Sequence, residues 1–190
     1  MSKFGDKLFY REGTCPWWLC PVFDNPLRAL FQNPAKILSP YVQPGHTVLD
    51  VGPGMGYFSF PLSDLVGQAG KVYGLDIQGQ MLARLQKKVN AKKRDNIELK
   101  LYDGGAFGLE ARFDFVLLFW MFHEVRNKES FVREIGGVLG KASKILIVEP
   151  WIHVLKTAFE EIPRHFEGIG MKPVEYPKVA FSRAVLLERT

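Results

Sequence analysis

Three alternating glycines, Gly52, Gly54 and Gly56, follow directly on the apolar run Thr47-Val-Leu-Asp50-Val51. A short β-rich run that opens into such a turn reads as a strand passing into a helix. Its backbone is bare enough for a ligand to lie against it. A second apolar run closes on Asp76. Two strands that end in acids, with a glycine turn between them, describe the nucleoside-binding end of an α/β sheet.

From Thr47 onward, short apolar runs alternate with helical patterns. Strands are predicted at 47–51, 71–76, 97–102, 113–119, 144–149 and 182–189, and helices near 57–66, 79–93, 128–139 and 152–167. Such alternation predicts βαβ units and a parallel sheet flanked by helices. Phe115-Val-Leu-Leu-Phe119 and Ile145-Leu-Ile-Val148 are continuously apolar, as central strands covered on both faces should be. Pro163 should break or kink the last helix. Too little chain lies between 174 and 188 for a crossover helix, so the last two strands should form an antiparallel hairpin.

Four consecutive strand ends carry glycine or polar equipment: Asp50 with the glycines, Asp76, Asp103-Gly104, and Phe119-Trp-Met-Phe-His123-Glu124. Asp76 can accept from both hydroxyls of a ribose. Asp103 can accept from an exocyclic amine, with the Gly104 amide turned to a ring nitrogen and Ile77 and Phe107 on either face of the base. Asp50 suits a cationic amine. Each acid also fits the helix N-cap that βα turns commonly use. A dinucleotide fingerprint needs glycine where this chain has Tyr57, so a dehydrogenase is disfavoured. A ligand without a pyrophosphate fits the turn better.

These residues resemble those of the class I S-adenosylmethionine-dependent methyltransferases. Val48-Leu-Asp-Val-Gly-Pro-Gly-Met-Gly56 resembles that family's motif I, and Val72-Tyr-Gly-Leu-Asp76 the acidic loop after it. Phe113-Asp-Phe-Val-Leu-Leu-Phe119 and Ile145-Leu-Ile-Val-Glu149-Pro resemble its fourth- and fifth-strand motifs. The resemblance implies an α/β, Rossmann-like, doubly wound and mostly parallel seven-stranded sheet. Helices would cover both faces, and an antiparallel C-terminal hairpin would end it. It implies S-adenosylmethionine as cofactor, with Gly52, Gly54 and Gly56 along its methionine moiety, Asp76 at the ribose, and Asp103 at the adenine. Ile77, Gly104 and Phe119 would complete the cofactor site, and residues 46–190 would form the domain. Within the family the chain is most similar to quinone-methylating enzymes of small molecules.

A sulfonium methyl group needs little help beyond placement and exclusion of water, and a base only where the acceptor must lose a proton. His123 and Glu124 border the position from which the methyl group should project, although a histidine here can equally cap or pack. Glu149 is a second rim residue. His153 and His165 read as surface or packing residues. An amino-methylating enzyme often carries an Asn/Asp-Pro-Pro-Tyr type motif after the fourth strand. Phe119-Trp-Met-Phe stands there instead, which favours an apolar or aromatic acceptor methylated at oxygen or carbon.

Residues 1–45 hold six of the twelve prolines (16, 21, 26, 34, 40 and 44) and suit short, broken helices rather than a strand. Asn25-Pro26 and Asn33-Pro34 read as caps with Pro in the first helical position. Trp17, Trp18 and Phe23 read first as a lid over the cleft, not an independent domain, and second as an interfacial contact with a membrane, with thiol chemistry at Cys15 and Cys20 a third reading of the same segment. Cys15 and Cys20 are the only cysteines, so neither a disulfide framework nor a zinc site is expected.

With 190 residues, 47% hydrophobic, one core is expected. The start is unlike a secretory signal and no apolar stretch reaches the ~18–20 residues of a membrane span, so a cytoplasmic setting is expected. The +5 net charge gathers at Lys87, Lys88, Lys92, Lys93 and Arg94. That cluster reads as a helix C-terminus, because no aromatics interleave for base stacking. An RNA methyltransferase and a non-catalytic cofactor-binding partner subunit stay open as rivals. Salt-steep nucleic-acid binding would favour the first. Cofactor binding without turnover, with stable heteromer formation, would favour the second. Oligomeric state is left open.

Overall fold

The computed structural model describes residues 28–189. Its elements are α1 (Arg28–Phe31), α2 (Pro34–Leu38), β1 (Thr47–Val51), α3 (Ser59–Val66), β2 (Lys71–Asp76), α4 (Gly79–Ala91), β3 (Ile97–Leu101), β4 (Phe113–Phe119), a 3-10 turn (Phe122–Glu124), α5 (Lys128–Val138), β5 (Leu139–Pro150), α6 (Lys156–Glu160), α7 (Ile162–Glu167), β6 (Met171–Glu175) and β7 (Ser182–Arg189). The readings of Trp17, Trp18, Phe23, Cys15, Cys20 and Asn25 fall outside the described residues.

Seven strands form one sheet in the order β3-β2-β1-β4-β5-β7-β6. The first five are parallel, and β7 runs antiparallel to both β5 and β6. Strand order reverses between β1 and β4, so the two crossovers leave on opposite faces and open a crevice at the carboxyl ends there. This is the doubly wound sheet with a C-terminal hairpin that the sequence predicts.

Alternation along each strand fills two cores. Val48, Phe115, Leu117, Leu146, Val148 and Leu186 face one side, against Leu62 and Val66 of α3 and Leu85 and Val89 of α4. Leu49, Val116, Leu118, Ile145, Ile147 and Val185 face the other, against Phe131 and Ile135 of α5 and Phe166 of α7. Each large side chain so enclosed stabilises the fold by roughly 1.5–3 kcal/mol.

Two boundaries differ from the sequence expectation. β5 starts at Leu139 rather than 144, because Leu139 pairs with Phe113, residues 140–143 bulge out of β5 before Lys144 pairs with Phe115, and Ser143 Oγ donates to the Phe113 carbonyl at 2.6 Å. The expected helix 152–167 is two short helices, with Pro163 in the first turn of the second, where its missing N–H costs nothing. Asn33 does cap α2, its side chain accepting from the Lys36 amide at 3.2 Å.

The basic cluster at the end of α4 is largely tied to the fold. Lys88 Nζ donates to the Met55 carbonyl at 3.2 Å, Lys92 Nζ lies 4.5 Å from the Phe60 ring centre, and Arg94 meets Asp64 at 2.6 Å.

Candidate functional site

The glycine turn after β1 is held open by its backbone. Gly52, Gly54 and Gly56 all have positive φ, at 71°, 55° and 90°. They are not interchangeable. A Cβ at Gly56 would sit 2.6 Å from Leu85 Cδ1 and 2.8 Å from Phe60 Cε2, so that glycine lets α4 pack closely. A Cβ at Gly54 would meet nothing within 4 Å and would project into open space. Gly52 is exposed, and its N–H donates to the Leu75 carbonyl at 2.8 Å, binding the turn to β2.

A cavity lies beside this turn at the carboxyl ends of β1, β2 and β4. Val51, Gly52, Gly54, Asp76, Ile77, Gln78, Met81 and Tyr102 line it from the ends of β1, β2 and β3 and the start of α4, and Phe119, Trp120, Met121 and Glu124 from the end of β4 and the turn after it. Of the residues singled out from sequence, the structure brings Gly52, Gly54, Asp76, Ile77, Phe119 and Glu124 to its wall. Asp50, Gly56, Asp103, Gly104 and His123 stand behind or beside it. Phe107 is fully buried, edge-on to Tyr102 and Phe131, so its ring belongs to the core and not to a base sandwich.

Asp76 Oδ1 accepts from the Gln78 amide at 2.9 Å, closing the turn that leads from β2 into α4. Burial pushes its pKa up to about 6, against the lowering pull of the Gln78 and Ile77 amides. Asp50 is sealed in β1, and Ser59 Oγ donates to it at 2.6 Å. Burial pushes it further, to about 7, with that hydroxyl only partly offsetting the effect and Asp76 adding repulsion. Asp103 is exposed and accepts from the Gly105 amide at 3.1 Å, while the Tyr102 hydroxyl donates to the Gly105 carbonyl at 3.0 Å.

Beyond β4 the chain makes a sharp turn. Trp120 has a φ of 57°, rare for a bulky residue; its amide donates to the Val148 carbonyl at 2.7 Å and its Nε1 to Ser182 Oγ at 2.9 Å. The turn delivers His123 onto Glu149, whose carboxylate is completely buried. Glu149 Oε1 accepts from the backbone amides of Phe122 (2.8 Å) and His123 (3.2 Å), and Oε2 meets His123 Nδ1. The His123 ring stacks on His153 at 5.7 Å. Burial pulls the His123 pKa down, but the hydrogen bond and charge of Glu149 outweigh it, and the net shift is upward.

Two features escape a reading of the sequence alone. Glu149 reads as a rim residue, whereas it lies beneath the His123 turn; the β4–β5 pairing of Phe119 with Val148 places it there. Arg28 had no signal at all. Its guanidinium lies 4.4 Å from the Tyr57 ring and 4.5 Å from that of Trp120, with Phe119 at 5.3 Å. Nearby, Tyr57 OH donates to the Gln32 carbonyl at 2.8 Å, and Gln32 Nε2 donates to the Ala180 carbonyl at 2.6 Å. The segment before β1 is thereby fastened to the cavity wall. Among the described residues, no cluster of His, Cys, Asp or Glu is arranged to hold a metal, and no helix is long and apolar enough to cross a membrane.

Comparison with known proteins agrees with this geometry. The family described as "Methyltransferase domain" matches residues 43–176. A demethylmenaquinone methyltransferase of Shouchella clausii is 36% identical over 124 residues, which are 62% of this chain and 52% of that protein. One from Lactococcus lactis is 31% identical over 122 residues, 61% of this chain and 48% of that protein. The chain thus spans about half the length of the curated relatives it matches. A crystal structure of a SAM-dependent methyltransferase from Aquifex aeolicus superposes with a TM-score of 0.83 at 24% identity, covering 93% of this chain and all of that one. With the match extending over most of the chain and the sheet order as described, this protein belongs to the methyltransferase-domain family, in its class I, S-adenosylmethionine-dependent fold.

Proposed function

We propose that this chain transfers a methyl group from S-adenosylmethionine to a small apolar or aromatic acceptor of the quinone type, at oxygen or carbon. The observation that carries this reading is the single cavity whose two sides differ. One side is open glycine backbone with the Asp76 carboxylate, and the other presents the rings and thioether of Phe119, Trp120 and Met121, with Glu124 as its one carboxylate. The first suits an amino-acid nucleoside. The second suits an acceptor that water should not accompany. The quinone class rests on the names of the relatives in Shouchella and Lactococcus.

The residues fit the cofactor in kind. Gly52 and Gly54 leave the space along the turn that a side chain would fill, and Asp76 stands where two ribose hydroxyls can donate to it. Gly56 sets the approach of α4. Ile77 offers an apolar face for the adenine, and Asp103 and Gly104 lie on the following loop to meet its edge. Asp50 acts from behind the turn, keeping Ser59 and the first turn of α3 in place rather than touching the ligand. When bound, the sulfonium supplies an electrophilic methyl group and its own leaving group. The chain's residues hold the acceptor in line, exclude water through Phe119, Trp120 and Met121, and remove a proton through His123 where the acceptor carries one. Glu124, on the cavity wall beside that turn, contacts the acceptor. Residues 46–190 form the domain, and the segment before it, through Arg28, completes the rim of the cleft.

Isothermal titration with S-adenosylhomocysteine, with NAD as control, tests the cofactor half. Micromolar binding of the first alone is expected, and binding of neither would favour the non-catalytic rival. Methyl transfer to a reduced naphthoquinone tests the acceptor half. Turnover that falls about a hundredfold or more in His123→Asn supports the base, and full turnover in that variant removes it.

A further inference from the structure

The geometry points to Glu149 as a positioning residue that sets which nitrogen of His123 faces the acceptor. This rests on the reading of His123 as the base, and it explains a carboxylate that the fold by itself does not need.

Glu149 lies on β5 with no solvent exposure, where an ionised group is costly unless donors surround it. Its cross-strand neighbour on β7 is a cation, Arg183. That guanidinium turns away and donates to the Val154 carbonyl at 2.8 Å. Both Glu149 oxygens serve the turn after β4 instead. Oε1 takes the amides of Phe122 and His123, which fixes the backbone, and Oε2 takes Nδ1, which fixes the ring. Two backbone amides and one imidazole nitrogen thus converge on one buried carboxylate.

The chemical consequence follows from which nitrogen is held. With the Nδ1 proton donated to Glu149, the neutral ring carries its lone pair on Nε2. As the acceptor's bond to hydrogen breaks, its electron pair forms the new bond to the methyl carbon. The carbon–sulfur bond breaks with its pair left on sulfur, and the proton ends on Nε2. Glu149 also strengthens the base by favouring the charged ring. Glu124 on the same turn acts in that direction, Lys128 on α5 opposes it, and His153 stacks on the ring.

Imidazole nitrogen NMR of the wild-type protein reads the tautomer without any substitution. The neutral His123 ring should carry its proton on Nδ1 and should titrate above the ordinary value of about 6.5. Glu149→Gln keeps an oxygen for the two amides but puts an NH2 group against Nδ1, which inverts the tautomer. In that variant, kcat should fall about tenfold to a hundredfold and the acidic limb of kcat/KM should move to lower pH. Affinity for S-adenosylhomocysteine should stay within about twofold, since the cofactor contacts lie elsewhere. A wild-type ring protonated on Nε2, or a Glu149→Gln enzyme with unchanged kcat and pH profile, overturns the assignment. Failure of the underlying base reading shows differently, as full turnover in His123→Asn although the wild-type ring is protonated on Nδ1.

Discussion

Asp50 and Glu149 are both carboxyl groups sealed at the carboxyl end of the sheet, one on β1 and one on β5, yet they are treated in opposite ways. Asp50 receives one hydroxyl, from Ser59, and burial drives it toward the neutral acid. Glu149 receives two backbone amides and an imidazole, and its charge is used to raise the basicity of His123. The two buried acids thus differ in the donors aimed at them and in the neighbour each acts on. The β1 half of the site is a passive cradle, built by packing and bare backbone. The β4–β5 half is electrostatically active.

The cradle is broken most severely at Gly56. Gly56→Ala places a methyl group against Leu85 and Phe60 at a φ that L-residues avoid, and should cost about 2–5 kcal/mol, read as a fall in Tm. Gly54→Ala should cost only about 1–2 kcal/mol but should weaken S-adenosylhomocysteine binding, because its methyl group enters the open space. Equal loss of stability in the two variants would contradict their separate roles. Next in size, Asp76→Ala should weaken S-adenosylhomocysteine by about 30- to 100-fold with an unchanged circular dichroism spectrum. Unchanged affinity would sink the ribose assignment.

The contrast between the two acids is sharpened by pH. Asp50 has a folded pKa raised to about 7 from 3.8, so the native state keeps a proton that the unfolded chain releases. Its contribution is fully present below pH 4 and is lost as pH rises toward 7. Asp50→Asn should therefore lose less Tm between pH 4 and pH 7 than the wild type does. Asp76, raised to about 6, gives both proteins the same underlying slope in that direction. The smallest effect is expected at Trp120→Phe, which removes the bond to Ser182 and should cost about 1 kcal/mol of stability in denaturant unfolding.

How much of this was legible depended on whether the information was local. β1, β2, β4 and β7 lie where the sequence places them, because each is a short apolar run bounded by breakers. That Gly52, Gly54 and Asp76 gather at strand ends was legible for the same reason, and the structure places all three on the wall of one cavity. The early start of β5 was hidden because it depends on a bulge at residues 140–143 that only the pairing with β4 reveals. Phe107 looked like a base-stacking residue only because sequence places it near Asp103, not between Tyr102 and Phe131. The partnership of Glu149 with His123 is set by sheet register, and the seat of Arg28 among Tyr57, Phe119 and Trp120 by tertiary packing. Neither leaves a mark in the periodicity.

Trp120 combines a left-handed backbone with a large side chain, and that pairing bears on how this protein can change. At such a position glycine or asparagine satisfies the backbone better, while only an indole reaches both the cavity wall and Ser182. A library randomised at position 120 and sorted separately for heat resistance and for methyl transfer should return two different winners. Position 120 is thus a point where selection for durability and selection for acceptor fit pull on a single codon.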